Sequence, residues 1–172
     1  MSTQISIRTA QPSEYAHIGQ LMVKAYSQLE GFITPAEHPG YYNMMANIGD
    51  LTAKHGTEII AAMASGKIVG AVVYFNNMEH YGSGGTATKE KNSAGFRFLA
   101  VAEEARGQGI GKLLTLECIR KTKEQNLKQL IIHTTLAMQD AWRMYERIGF
   151  KRSTDLDFMQ GEMKVFGFRY QV

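Results

Sequence analysis

The chain has 172 residues, 44% hydrophobic, 20% charged and 10% aromatic, enough to bury a substantial core, and one domain over residues 1–172 is expected. Its formal charge of +3 is scattered rather than clustered, which gives no basis for nucleic-acid binding. The lone Cys118 excludes an intrachain disulfide or a multi-cysteine metal site, and no apolar run approaches the ~18 residues that span a bilayer.

Taken in chain order, Met1-Ser2-Thr3-Gln4 has no basic segment leading into an apolar core, so no secretory leader and a cytoplasmic location are expected. Ile5 and Ile7 alternate with polar neighbours as in a short strand. A helix follows, with Pro12 near its first turn, Ile18, Leu21, Met22, Ala25 and Leu29 on one face, and Gly31 ending it. Residues 32–50 are loop-like and aromatic, with room for a short second helix. Glu58–Met63 and Ile68–Phe75 read as strands joined by the tight turn Ala64-Ser65-Gly66-Lys67. Met78–Ser93 reads as a long polar loop whose glycines at 82, 84 and 85 suit a lid. Phe96–Val101 is a strand buried on both faces apart from Arg97.

A glycine-rich turn and a helix come next, ending near Gln125-Asn126, and Cys118 falls on the apolar stripe of that helix with Ile110 and Leu114. Leu127–Thr134 is another buried strand. Ala141, Met144, Tyr145 and Ile148 then mark a short helix that Gly149 stops, and Phe150 opens a final strand pair ending at Phe166–Tyr170. The order β-α-(α)-β-β-β-α-β-α-β-β predicts an α/β mixed sheet flanked by helices.

The turn Arg106-Gly107-Gln108-Gly109-Ile110-Gly111-Lys112 carries the chemistry. Its glycines lie at a helix N-terminus, where backbone N–H groups lack intrahelical partners and the helix dipole favours an anion, so a phosphorylated ligand is expected. Two familiar phosphate loops do not fit. A P-loop needs glycine five residues before Gly111 and a hydroxyl after Lys112, where this chain has Arg106 and Leu113. A dinucleotide fingerprint needs a third glycine at the place of Lys112, and it follows the first strand.

The stretch Val101-Ala102-Glu103-Glu104-Ala105-Arg106-Gly107-Gln108-Gly109-Ile110-Gly111-Lys112-Leu113-Leu114 resembles the acetyl-CoA motif of the GNAT superfamily of N-acetyltransferases. Ala141-Trp142-Arg143-Met144-Tyr145-Glu146-Arg147-Ile148-Gly149-Phe150 is similar to that family's second signature. The resemblance implies a mostly antiparallel central sheet with a splayed parallel strand pair, and acetyl-CoA as co-substrate with no metal. It assigns the CoA pyrophosphate to Arg106, Gly107, Gln108, Gly109, Ile110, Gly111 and Lys112. The pantetheine arm falls to the backbone of Leu99, Ala100 and Val101, lying like an added strand in the gap before Leu130–Thr134.

The implied activity is acetyl transfer to a primary amine of a small molecule, peptide or protein. Tyr145 takes the place of the family's general acid, a phenol whose ordinary pKa is about 10. His133, twelve residues earlier, stands where several branches carry a glutamate base. Beside these roles stand plainer ones: a core tyrosine, a hydrogen-bonded structural histidine, strand-core residues at 99–101, and a solvated cation at Lys112. Glu30, Glu37, Glu79 and His80 are reserve bases. Two departures are explicit: Met138 replaces the family's frequent asparagine, and Arg97 stands where some relatives have an acid. Tyr41, Tyr42, Tyr81, Phe166 and Phe168 supply aromatic surface for the acceptor. The rival is a non-catalytic acyl-CoA-binding or regulatory module. No membrane or nucleic-acid partner is expected, and a homodimer is the assembly common in such folds.

Overall fold

A computed structural model describes residues 4–172; Met1, Ser2 and Thr3, read above for a leader, lie outside the described residues. Strand β1 (Ile5–Thr9) is followed by a 3-10 turn at Pro12–Glu14, then α1 (Tyr15–Ser27) and α2 (Pro39–Ala46). The hairpin β2 (Thr57–Ala64) and β3 (Lys67–Phe75) closes through Ser65 and Gly66, both at positive φ. β4 (Ser93–Val101), α3 (Ile110–Glu124), β5 (Gln129–Thr134) and α4 (Gln139–Ile148) complete the middle of the chain. The C-terminal segment forms three strands where two were expected: β6 (Lys151–Arg152), β7 (Phe158–Gln160) and β8 (Met163–Gln171).

The sheet runs β1-β2-β3-β4-β5-β8-β6, with β7 paired on β8. Every pairing is antiparallel except β4 with β5. The expected mixed sheet is therefore present, and β8 inserts between β5 and β6. Alternation along β2 explains the layering, because successive side chains point to opposite faces. Ile59 and Ala61 pack with Ile18, Met22 and Met45 of α1 and α2. Ile60 and Ala62 join Leu114 and Cys118 of α3 on the other face. Burial of Ile110, Leu114, Cys118 and Thr122 along α3 follows one helical stripe, and Thr122 satisfies its hydroxyl on the Cys118 carbonyl at 2.7 Å.

The segment 78–93 is built differently from the open loop expected. Met78 and Tyr81 are fully buried, Thr86 Oγ1 donates to the Asp155 carbonyl at 3.0 Å, and Gly84 lies against the Phe158 ring. No helix among the described residues is long and apolar enough to cross a membrane.

Candidate active site

The sheet opens where β4 and β5 part. Their parallel register covers only Ser93–Gln129, Ala94–Leu130 and Gly95–Ile131. On the other edge of β4, Val73 pairs with Arg97 and Ala71 with Ala100, so β4 carries an extra residue. That bulge holds Phe98 at φ 61°, a conformation costly for a bulky side chain, of the order of 1–3 kcal/mol. Phe98 and Leu99 thus stand opposite the single residue Val72 and have no register partner on β5, which leaves the Leu99 carbonyl open to a partner from outside the sheet. Tyr26 supplies one, donating its hydroxyl to the Leu99 carbonyl at 3.1 Å.

A cleft of about 720 Å³ fills this opening. It gathers Leu99, Ala100, Val101, Arg106, Gly107, Gly109, Ile110, Gly111, Lys112, His133 and Tyr145. Gln108 stands apart as an exposed residue at the loop tip that does not line the cleft.

At one end, Gly107 and Gly109 adopt φ 82° and 77°, the left-handed region that glycine takes at no steric cost. The N–H groups of Gly107, Gln108 and Gly109 have no partner among the described residues, and those of Ile110, Gly111 and Lys112 begin α3 before its first intrahelical bond, Leu113 N–H to Gly109 O. A row of unused donors thus lies at this end of the cleft with the Arg106 and Lys112 side chains. This donor set fits a pyrophosphate, and the open space around the two glycines lets an anion reach it.

Tyr145 sits mid-cleft on the inner stripe of α4, between the rings of Phe96 at 5.9 Å and Phe150 at 5.6 Å. Its hydroxyl has no hydrogen-bond partner among the described residues, and burial pushes its pKa above the ordinary phenol value. His133 is held at both ring nitrogens. Leu156 O, 2.9 Å from Nε2, only accepts, so Nε2 bears the hydrogen and Nδ1 accepts from the Tyr81 hydroxyl at 2.9 Å. Burial lowers the imidazole to about 4, leaving it neutral at physiological pH.

Of the aromatic residues expected at the acceptor side, Tyr41 and Tyr81 line the cleft. Tyr42 instead donates to the Ile33 carbonyl at 2.7 Å, and Phe166 and Phe168 pack on Trp142, each with ring centroids 5.0 Å away. None of Glu30, Glu37, Glu79 or His80 lines it. Sequence reasoning missed Tyr26, Thr134 and Thr135. The two threonines line the cleft with buried hydroxyls that have no partner, and a strand-end threonine carries no sequence signal for that. Among the described residues, no three His, Cys, Asp or Glu side chains gather as metal ligands.

A family model described as the acetyltransferase (GNAT) family matches residues 22–150. Over 134 residues the chain is 31% identical to a mycothiol acetyltransferase from Arthrobacter sp. (strain FB24), a match covering 73% of this chain and 38% of that relative. The chain spans only 20% to 38% of the length of the curated relatives it matches. In fold it is similar to an acetyltransferase of the GNAT family from Staphylococcus aureus Mu50, with TM-score 0.74, 17% identity and coverage of 98% and 99% of the two chains. The PaiA N-acetyltransferase from Thermoplasma acidophilum, in complex with coenzyme A, superposes with TM-score 0.73, 14% identity and coverage of 97% and 99%.

Proposed function

The chain belongs to the acetyltransferase (GNAT) family, and on that footing we propose that residues 1–172 form one domain that transfers an acetyl group from acetyl-CoA to a primary amine of a small-molecule or peptide acceptor. The observation that carries this reading is the continuity of the cleft: the donor-lined loop, the parted strands and Tyr145 all line it. Acetyl-CoA supplies an activated acyl group and a thiolate leaving group.

The chain's residues divide the work. The N–H groups from Gly107 to Lys112 hold the pyrophosphate, with Arg106 and Lys112 adding charge. Gln108, exposed at the tip, contributes only its backbone. The unpaired edge of β4 from Leu99 to Val101 aligns the pantetheine arm as an added strand. The amine nitrogen then forms the C–N bond as the C–S bond breaks, and Tyr145 delivers its proton to the departing sulfur. Desolvation favours the neutral thiol over the thiolate, which draws the phenolic proton toward sulfur. The nitrogen's surplus proton leaves through water, since His133 has both nitrogens engaged. His133 serves as a positioning residue, holding Tyr81 in the wall.

Free-thiol release from acetyl-CoA across a panel of amines tests this reading. Tyr145→Phe is expected to lower kcat by roughly 100-fold or more while the KM for acetyl-CoA holds. Coenzyme A binding without turnover of any amine, in a protein indifferent to Tyr145→Phe, would overturn it in favour of a non-catalytic acyl-CoA-binding module.

A further inference from the structure

Five of the eight arginines have a carboxylate partner within ion-pair distance: Arg8 with Glu14, Arg120 with Glu117 and Glu124, Arg143 with Asp140, Arg152 with Asp157, and Arg169 with Glu90 and Asp155. The three without one among the described residues, Arg97, Arg106 and Arg147, all line the cleft. Arg106 belongs to the phosphate-binding end, and Arg147 follows Tyr145 on α4, whereas Arg97 lies on β4 beside the bulge, among the acceptor-side aromatics.

Arg97 is half-buried; its Nη1 donates to the Tyr81 carbonyl at 2.9 Å and the Tyr41 hydroxyl is a second hydrogen-bonding neighbour, which leaves most of its five N–H donors free. Its guanidinium carbon stands 4.5 Å from the Phe98 ring centre, which orients the planar group without neutralising it. The titratable groups facing it are Tyr26, Tyr41, Tyr81 and His133, all neutral at physiological pH. The cleft lining holds a single acid, Asp140, which is already paired with Arg143 at the start of α4. A partly desolvated cation with free, fork-shaped donors and no acid is matched by a carboxylate that arrives with a ligand. Leu29, Phe32, Ile33 and Phe158 add apolar surface to the same lining, beside the polar Ser83 and Gln160.

We propose that Arg97 is a specificity-determining residue that binds the carboxylate of the acceptor, and that the acceptor is an amino acid with an apolar side chain. A cationic polyamine finds repulsion and no anion in the same place. The inference rests on the transferase reading above, and the two are separable by experiment.

The test compares an amino acid such as phenylalanine with its amide and with the decarboxylated amine, in thiol release at saturating acetyl-CoA. The acid is expected to exceed both analogues in kcat/KM by about 10- to 100-fold, the range for a charged hydrogen-bonded pair. In Arg97→Gln that ratio should collapse toward one, and Arg97→Lys should restore part of it, with coenzyme A affinity reporting that both variants are folded. Equal or better turnover of the amide by the unaltered protein overturns the inference while leaving the transferase reading intact. If no amine is acetylated, calorimetric titration of the same three compounds into the CoA-loaded protein decides. Binding of the acid alone supports the carboxylate site as the transferase reading falls, and failure of the acid to bind overturns it.

Discussion

Acidification from neutrality to about pH 4.5 places a proton on free imidazole but not on His133. In the folded chain, burial holds this side chain at about 4, against an ordinary value of about 6.5. A proton on Nδ1 would reverse the bond with Tyr81 and leave the phenolic hydrogen without an acceptor, beside the Phe75 ring 5.6 Å away. Between the two values the unfolded chain binds a proton that the folded chain refuses. Stability is therefore full above about pH 6.5 and falls as pH drops toward 4. At 1.36 kcal/mol per unit the whole effect is about 3.4 kcal/mol, of which about 2.5 kcal/mol is spent by pH 4.5. Urea unfolding of the unaltered protein and of His133→Gln, at about pH 7.5 and 4.5, isolates it. Carboxylates held low in the folded state, such as Glu14 beside Arg8, titrate in both proteins and cancel in the difference. The unaltered protein should lose about 2.5 kcal/mol more than the variant. Parallel losses would refute the buried, neutral, doubly bonded state of His133.

Gly109→Ala forces a side chain to φ 77°, at a cost of about 1–2 kcal/mol. A Tm lower by about 2–8 °C and a raised KM for acetyl-CoA with kcat retained should follow. Gly111→Ala is the control, since its Cβ meets Met144 Sδ at an ordinary 3.6 Å, and it should show far less of both. Tyr26→Phe removes the hydroxyl that serves the Leu99 carbonyl at the bulge, which should cost about 1 kcal/mol in thermal or urea unfolding. An unchanged midpoint would mean that water replaces the phenol there.

Most elements were legible because local chemistry and periodicity agree. The turn at Ser65-Gly66, the stripe Ile110–Leu114–Cys118 and the stop at Gly149 each combine a hydrophobic repeat with a residue that ends it. Less was legible between β3 and β4. Tyr81 reads as a loop residue among glycines, yet it is fully buried, because its partner His133 is supplied by a strand 52 residues away. The three-way split of the C-terminal segment was hidden for a similar reason: β6 is two residues long and exists only through its register with β8.

By itself the sequence determined the order of elements and the donor end of the cleft. Glycines at a helix N-terminus expose N–H groups wherever the helix is docked, and that property is local. The surroundings of Arg97 at the other end were decided by tertiary structure alone. Phe98 carries no mark of its left-handed φ, and Arg97 looks like any strand arginine until its surroundings prove to be phenols, an imidazole and no acid. Charge pairing and bulge position depend on residues far apart in the chain, which only the packed sheet brings within hydrogen-bond range.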